Sequence, residues 1–273
     1  VQLLNNIHIE KCIMKLTIIT GDHYRHLYLV DKIHKLGLDV SWIIQKRENI
    51  QPKLYHENKD ILKLLKIHFD KRENAELNFF SKTAGNIAKK NISKIKFINE
   101  DDILNGNLYN LLKTDFKADI LFTYGPSKII PKKILNLAKL YKWNVHGGLS
   151  PWYRGTATLF WPTYLLEPEF TGITLHEMSD IPDAGNIIHQ TGIKISPKDG
   201  IHENACRAVK EFSDSLPKLL AKKLKKNKNL KGIPQHTYGR NWTEKMWHPL
   251  TLKVIYDLFN DKINQYCIKN KKI

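Results

Sequence analysis

The sequence predicts an α/β fold, a mainly parallel sheet with helices on both faces, followed by a small C-terminal appendage. Apolar runs at 15–20 and 40–44 enclose an amphipathic segment at 24–36, and this strand–helix–strand order is typical of parallel sheets with crossover helices. A third apolar run at 119–124 closes at Gly125, as a buried strand does. The 273 residues, 42% of them hydrophobic, suffice to bury one core with an appendage.

The elements of the first half follow from hydrophobic spacing. The strand after Met14 ends at Gly21, and residues 24–36 repeat apolar side chains at helical spacing up to Gly37, which can end the helix. The polar stretch 53–90 contains helical patches, so we expect it to cover one face of the sheet. Two shorter elements complete this half, a strand at 95–97 and a helix at 108–113.

The second half alternates in the same way and then becomes helical. Pro131 is a favoured first-turn residue, so we expect a helix there, with an apolar stripe that runs on to Tyr141. A long helix is expected at 201–226, and Pro217 should kink or divide it. The remaining elements are strands at 143–146, 173–178 and 186–191, a turn at 232–234 and a short packed tail.

The chain carries a formal charge of +17, and much of the excess lies between 218 and 231. A charge of this size suits nucleic acid, an anionic membrane or a phosphorylated substrate. In a sequence rich in lysine throughout, a solvated helix face is the simpler interpretation, so nucleic-acid binding stays an open but disfavoured alternative. The lysines concerned are Lys222, Lys223, Lys225, Lys226 and Lys228.

Cysteine usage and hydropathy bound the setting of the protein. Cys12, Cys206 and Cys267 lie far apart without a C-x-x-C pair, so we expect reduced thiols and no metal site. No stretch reaches the ~20 consecutive apolar residues that cross a bilayer, and the first residues lack the order of a signal peptide. We therefore expect a cytoplasmic protein with no membrane contact.

Three short motifs carry the functional signal. The first reads NVHGGLSPWYRG at 144–155, the second TGITLH at 171–176 and the third DAGNII at 183–188. In this order they resemble the motifs of the folate-dependent formyltransferases, which include sugar N-formyltransferases and the catalytic domain of methionyl-tRNA formyltransferase. The resemblance covers 119–190 best. It implies a Rossmann-like fold, N-formyltransferase activity and 10-formyltetrahydrofolate as the formyl donor.

The resemblance implies a catalytic trio of Asn144, His146 and Asp183. Attack of an amine on a formyl group makes the formyl oxygen negative, and N–H donors aimed at that oxygen lower the barrier. Because alternate residues of a strand share a face, Asn144 and a protonated His146 can both point into one cleft. Asp183 can hold His146 protonated and oriented, and can accept or relay the proton of the amine.

Further positions follow from the same resemblance. The cofactor is expected at the carboxyl end of a strand, against Tyr124, Gly125, Ile129 and Ile130, with Gly185 beside it. The substrate amine is expected to enter past Trp152, Tyr153 and Arg154. Gly147 and Gly148 replace the family's common Pro-Ser pair, which can widen the amine side of the cleft.

The loop after the first strand has two interpretations. His23, Arg25 and His26 can contact a phosphate or sugar, or can cap the following helix and lie on the surface. We favour capping, since the loop is not a Gly-rich dinucleotide fingerprint.

The acceptor is not determined by these motifs. We favour the amine of an amino-sugar nucleotide, because the region after 200 looks helical rather than like a tRNA-binding barrel. The alternatives are a methionyl-tRNA formyltransferase-like enzyme, a formyltetrahydrofolate hydrolase and a non-catalytic basic binding protein. A glycinamide ribonucleotide acceptor is disfavoured, since the Gly-rich phosphate loop is missing at 21–26.

We divide the chain into three parts. These are an N-terminal extension at 1–13, a formyltransferase catalytic domain at 14–200 and a C-terminal helix with a mixed appendage at 201–273. Three apolar residues of the appendage, which we expect to be exposed, suggest a homodimer. They are Trp247, Leu250 and Phe259.

Overall fold

The computed structural model describes residues 14–36, 38–46, 56–87, 92, 94–226, 230–237 and 239–271. The proposed extension at 1–13, with Cys12, lies outside the described residues, and so do Gly37 and Lys228. The strands are β1 (Lys15–Thr20), β2 (Asp39–Gln45), β3 (Lys94–Ile98), β4 (Ile120–Tyr124), β5 (Tyr141–His146), β6 (Tyr153–Gly155), β7 (Gly172–Glu177), β8 (Ile187–Gly192) and β9 (Arg240–Trp242). The helices are α1 (Tyr24–Ile33), α2 (Lys59–Ile87), α3 (Asn107–Thr114), α4 (Lys132–Leu135), α5 (Trp161–Tyr164), α6 (Ile201–Lys226), α7 (Thr251–Lys253) and α8 (Ile263–Lys271).

The main sheet has seven strands within the described ranges, in the order β3-β2-β1-β4-β5-β7-β8. Neighbours from β3 to β5 run parallel, and the last two pairings, β5 with β7 and β7 with β8, are antiparallel. The predicted Rossmann-like α/β fold is confirmed. A separate two-stranded sheet joins β6 to β9 in parallel.

Helices cover both faces of the main sheet. Because side chains alternate along a strand, Ile18 and Ile19 of β1 enter different cores, and both are fully buried. Ile18 packs in the core of α1, α2 and α6, and Ile19 in the core of α3 and α4. The helices contribute Leu29, Phe80 and Phe212 to the first core, and Leu108 and Ile134 to the second.

Two helix predictions are wrong in part. The helix after Pro131 stops at Leu135, and Tyr141 begins β5, where it pairs with Ile120 of β4. The amide of Tyr141 donates to the carbonyl of Asp119. Tyr141 therefore belongs to the sheet, although helical spacing predicted it in the helix. Helix α6 also continues through Pro217 rather than dividing. Its buried stripe runs unbroken past the proline, through Phe212, Leu216 and Leu220.

The appendage folds back over the start of α2 and over α5. Trp247 and Phe259 pack against this third apolar cluster, so the expectation that both are exposed is wrong. Leu250 is 52% exposed, as expected. The ring centroid of Trp247 lies 6.1 Å from that of Phe160, which precedes α5. The aromatic side chain of the tail therefore packs against the rest of the molecule.

Hydropathy gives no sign of a transmembrane helix in the described part of the chain, where each helix is too short or too polar to span a bilayer.

Candidate active site

A cavity of about 450 Å³, the central cavity, opens where β4 and β5 end. The carboxyl ends of these strands, the end of β7 and the loop at 178–183 form its walls. Open parallel sheets bind ligands at this edge, because the connections of neighbouring strands leave a crevice there.

The structure brings the three predicted catalytic residues together in the central cavity. Asn144 and His146 lie two residues apart on β5, and both line the cavity because alternate strand residues share a face. Asp183 reaches them from the loop between β7 and β8. Its Oδ2 lies 3.3 Å from Nδ1 of His146.

Each oxygen of the Asp183 carboxylate has a close polar neighbour. The amide of Gly155 donates to Oδ2 at 3.0 Å, and Oδ1 lies 3.3 Å from Nε2 of His176. Burial raises the pKa of Asp183, but His146, His176 and the Gly155 amide outweigh burial and lower the pKa to about 2. The carboxyl group is therefore ionised at neutral pH.

His146 is buried, and both ring nitrogens have neighbours. Nε2 donates to the carbonyl of Tyr153 at 2.7 Å, since a carbonyl can only accept. Burial lowers the pKa of His146, and Asp183 and the Tyr153 carbonyl oppose this shift only in part. The lowered pKa favours the neutral ring in the ligand-free site, and the protonated form considered from the sequence depends on the charge of Asp183. A proton taken up at Nδ1 would lie against Asp183, so the pair is arranged to accept one.

Asn144 has a defined amide orientation. The hydroxyl of Thr123 donates to its Oδ1 at 2.7 Å, and its Nδ2 lies 3.2 Å from Nε2 of His176. An amide nitrogen carries two hydrogens, so one can bond His176 while the other is offered to a ligand.

His176 is a residue of the site that sequence reasoning did not single out. It stands directly opposite Asn144 in the antiparallel pairing of β5 with β7. Its Nδ1 donates to the carbonyl of Glu177 at 2.8 Å, which turns Nε2 toward Asp183 and Asn144. The sequence did offer one signal for a site role. His176 ends the second motif, two residues after Thr174, and therefore shares a face of β7 with it.

Four of the five predicted cofactor residues line the central cavity. They are Tyr124, Gly125, Ile129 and Ile130. Gly185 does not line it. A Cβ at Gly185 would lie 1.7 Å from the carbonyl oxygen of Glu177, so this glycine permits close backbone packing beside the loop.

The departure at Gly147 and Gly148 has a steric consequence. A Cβ at Gly148 would lie 2.4 Å from the carbonyl oxygen of Tyr153 and 2.7 Å from Nε2 of His146. The absence of a side chain therefore allows the His146–Tyr153 hydrogen bond.

The three predicted substrate residues do not line the central cavity. Trp152 and Tyr153 face a separate aromatic groove of about 390 Å³, and Arg154 is only 5% exposed. The hydroxyl of Tyr153 donates to Glu167 at 2.8 Å, on the far side of β6 from His146. Strand β6 meets the site through the carbonyl of Tyr153 and the amide of Gly155, while the side chain of Tyr153 lines the aromatic groove.

A second cavity of about 230 Å³, the arginine cavity, adjoins the central one and shares Gly147 and Thr158 with it. Arg25 and Arg72 line it, and both form an ion pair with Glu76, Arg72 through Nε at 3.2 Å. Burial raises the pKa of Glu76, but the two arginines outweigh burial and lower the pKa to about 2. The carboxylate is therefore ionised and holds both guanidinium groups in place.

The loop after β1 therefore differs from the favoured interpretation. His23 occupies the N-cap position of α1 but makes no capping hydrogen bond with its side chain, and it lines the arginine cavity. Sequence reasoning missed Arg72 altogether, because its place beside Arg25 depends on how α2 packs against α1.

The family model described as formyl transferase matches residues 77–220. Among curated relatives, the methionyl-tRNA formyltransferase of Prochlorococcus marinus strain MIT 9515 is 34% identical over 128 residues, which cover 46% of this chain and 37% of that protein. The chain thus spans well under two thirds of the length of this relative.

Solved structures share the fold at low sequence identity. A 4-N formyltransferase from Francisella tularensis superposes with a TM-score of 0.53 at 19% identity, covering 85% of this chain and 77% of that one. An N-formyltransferase from Helicobacter canadensis, in complex with folinic acid and dTDP-3-aminofucose, gives a TM-score of 0.52 at 17% identity, covering 86% and 73%.

Proposed function

This chain belongs to the formyl transferase family, and on that premise we propose that it transfers a formyl group from 10-formyltetrahydrofolate to the primary amine of an amino-sugar nucleotide. The observation that carries the proposal is the cluster at the end of β5. There an amide donor, a neutral imidazole and an ionised carboxylate meet within one cavity. These are the groups that transfer of an acyl group to an amine requires.

The central cavity fits a folate on its apolar side. Ile129 and Ile181 line it and are 75% and 51% exposed. Large apolar side chains left open to solvent around a cavity are typical of ligand sites. Tyr124, Gly125 and Ile130 would hold the flat ring system from the β4 side. Bound there, 10-formyltetrahydrofolate would supply the formyl group.

The chain's own residues would divide the chemistry between them. Asn144 would donate its second amide hydrogen to the formyl oxygen as that oxygen gains negative charge. His146, neutral before the reaction, would accept the proton of the attacking amine. Asp183 would stabilise the resulting imidazolium across the 3.3 Å contact with Nδ1.

The arginine cavity supports a phosphorylated acceptor. Two guanidinium groups share the single carboxylate of Glu76, so the group keeps one positive charge. Within the described part of the chain, Nε of Arg25 is buried and has no hydrogen-bond acceptor. Guanidinium groups suit phosphate because they donate paired hydrogen bonds in a fixed geometry. An amino sugar within reach of Asn144 would place its diphosphate at these arginines.

One structural relative supports an amino-sugar nucleotide as the acceptor. The Helicobacter canadensis protein holds dTDP-3-aminofucose together with a folate, and its fold extends over most of this chain. Methionyl-tRNA remains the acceptor that the curated relative suggests. Both acceptors therefore belong in the first test.

The deciding experiment measures tetrahydrofolate release from 10-formyltetrahydrofolate. The acceptors are a panel of amino-sugar nucleotides, the same amino sugars without nucleotide, initiator methionyl-tRNA, glycinamide ribonucleotide and no amine. We expect release that depends on an amino-sugar nucleotide and falls ~10²- to 10³-fold in Asn144→Ala, which loses an oxyanion donor. Asn105→Ala, on the exposed surface, serves as the control.

Each other outcome contradicts part of the proposal. Release without an amine would indicate a hydrolase, and release only with methionyl-tRNA would replace the acceptor class. Equal turnover in Asn144→Ala and Asn105→Ala would overturn the assignment of the catalytic cluster.

A further inference from the structure

The segment after α6 contacts both halves of the candidate active site. We call residues 230–237 and 239–242 the C-terminal brace; they lie beyond the matched family region, which ends at 220. The brace begins at Leu230, whose amide donates to the hydroxyl of Tyr141 on β5. From there it crosses the loop that carries Asp183 and ends as β9, paired with β6.

The brace fixes the Asp183 loop through one side chain. Nε2 of Gln235 donates to the carbonyl of Asp183 at 3.0 Å and to the carbonyl of Gly185 at 2.7 Å. A backbone pairing between Ile233 and Ile187 anchors the same region, with both N–H···O distances at 2.8 Å. Gln235 thus ties together the two ends of the Asp183–Gly185 turn.

The turn needs such support because Asp183 has a φ of 53°. This left-handed conformation is unfavourable for a residue with a Cβ, and it persists only where surrounding contacts hold it. The contacts to the side chain of Asp183 come from the site itself, whereas the contacts to its carbonyl come from Gln235 and from the hydroxyl of Ser150.

The brace also fixes β6, the strand whose backbone is hydrogen-bonded to His146. Strand β6 supplies the Tyr153 carbonyl to His146 and the Gly155 amide to Asp183. Strand β9 pairs with β6 along its whole length, and the Thr156 amide donates to the carbonyl of Trp242 at 2.7 Å. The position of β6 therefore depends on β9.

We propose that the C-terminal brace positions the catalytic pair, and that Gln235 is a positioning residue which keeps the Asp183 carboxylate against His146. Only the kinetic consequences of this proposal depend on the proposed formyl transfer. Loss of the Gln235 bonds lets the 183–185 turn relax toward an ordinary conformation. The carboxylate then moves away from Nδ1 of His146, and the proton of the amine has a poorer acceptor.

The state of His146 reports this movement directly. The titratable and charged groups that act on His146 are Asp183, His176 and Arg154. Of these, only Asp183 raises the pKa of His146, while burial, His176 and Arg154 lower it. If Asp183 withdraws, the pKa of His146 falls further.

The test uses the full chain with Gln235→Met, which keeps the length of the side chain but cannot donate. Gln235→Glu is the second variant, because a carboxylate also cannot donate to the two carbonyls. His236→Met, at the exposed neighbouring position, is the matched control. The measurements are kcat and KM for both substrates, the NMR titration of His146 and thermal unfolding.

We expect kcat to fall about 10- to 100-fold in both Gln235 variants while both KM values stay within about 2-fold, since a misplaced group costs turnover rather than binding. The His146 titration should shift to lower pH in Gln235→Met, which adds no charge, and stay unchanged in His236→Met. An unchanged titration would overturn the proposal, including when thermal stability falls, because the role would then be structural only. The titration needs no turnover, so it decides this point even if no acceptor supports formyl transfer.

Discussion

Asn144 has a hydrogen-bond partner at each end of its amide. Thr123 fixes the oxygen, and His176 lies at the nitrogen. This matters because the two ends of an amide are nearly the same in shape, and only the nitrogen can donate to a developing oxyanion. A residue outside direct contact with a ligand therefore determines which end of Asn144 the ligand meets.

Thr123→Val should reduce turnover by removing this control of orientation. The buried hydrogen bond contributes ~1 kcal/mol, so we expect roughly a 5- to 10-fold fall in kcat with folate affinity unchanged. The measurement is steady-state kinetics together with folate binding by calorimetry.

Thr17→Val is the matched control. Thr17 lies on β1, is as buried as Thr123 and donates to the carbonyl of Phe116, away from the central cavity. A similar kcat loss in both valine variants would trace the effect to general destabilisation and contradict the role given to Thr123.

Among the secondary-structure elements, helix α2 contributes residues to two separate regions of the molecule. Its middle carries Arg72 into the arginine cavity, with Glu76 as the ion-pair partner, and its first turns pack beneath the appendage. The helix thus connects a polar subsite to the third apolar cluster, and its placement against α1 brings Arg72 beside Arg25.

Arg72→Gln should weaken binding of a phosphorylated acceptor. A charge-assisted hydrogen bond contributes ~1.5–3 kcal/mol, so KM for the amino-sugar nucleotide should rise roughly 10-fold to 100-fold with little change in kcat. The KM for the same amino sugar without its nucleotide should not change, and added salt should narrow the difference between wild type and variant.

Lys66→Gln, an exposed position on the same helix, removes the same charge and is the control. If KM rises equally for the free amino sugar and the nucleotide form, Arg72 does not contact the phosphates.

At the scale of the whole molecule, buried histidines couple stability to pH. His68 lies 2.9 Å from the hydroxyl of Tyr256 and 3.2 Å from Nε2 of His202, where α2, α6 and the appendage meet. Burial and Arg72 lower the pKa of His68 to about 3, and burial holds the pKa of His202 well below its usual value. The folded protein therefore keeps the ring of His68 neutral at pH 5, and burial opposes protonation of His202 in the same direction.

The free energy of unfolding should decrease as the pH falls below ~6.5. The reason is that these histidines bind protons in the unfolded chain but stay neutral in the folded one. His68 alone accounts for about 2 kcal/mol between pH 7 and pH 5. Urea denaturation at both pH values measures the loss. His68→Gln should show a shallower dependence on pH, and the exposed His236→Gln should match wild type. Equal slopes in all three proteins would contradict this account.

Local patterns accounted for the sheet and for the cluster on β5. Period-two spacing placed Asn144 and His146 on one face, and Asp183 followed from the resemblance. Trp152 and Tyr153 could not be placed in this way, because their direction depends on β6 pairing with a strand that begins at Arg240. Tyr141 was misassigned for a related reason, since helical spacing carries no information about its partner in β4. The errors thus concentrate where contacts join distant parts of the chain.

Because Tyr153 pairs with Arg240, the strand pairing beside the site can form only late in the synthesis of the chain. A ribosome completes the residues of the central cavity when it reaches Asp183, but it must continue past Trp242 before β9 can form. At ~5–20 residues per second, that interval lasts about 3 to 12 s. Nascent chains in this window would carry Asn144, His146 and Asp183, the proposed catalytic residues, and still lack the strand pairing that we propose aligns them. The proposed formyl transfer would therefore begin only after residues 230–242, which lie beyond the matched family region, have left the ribosome.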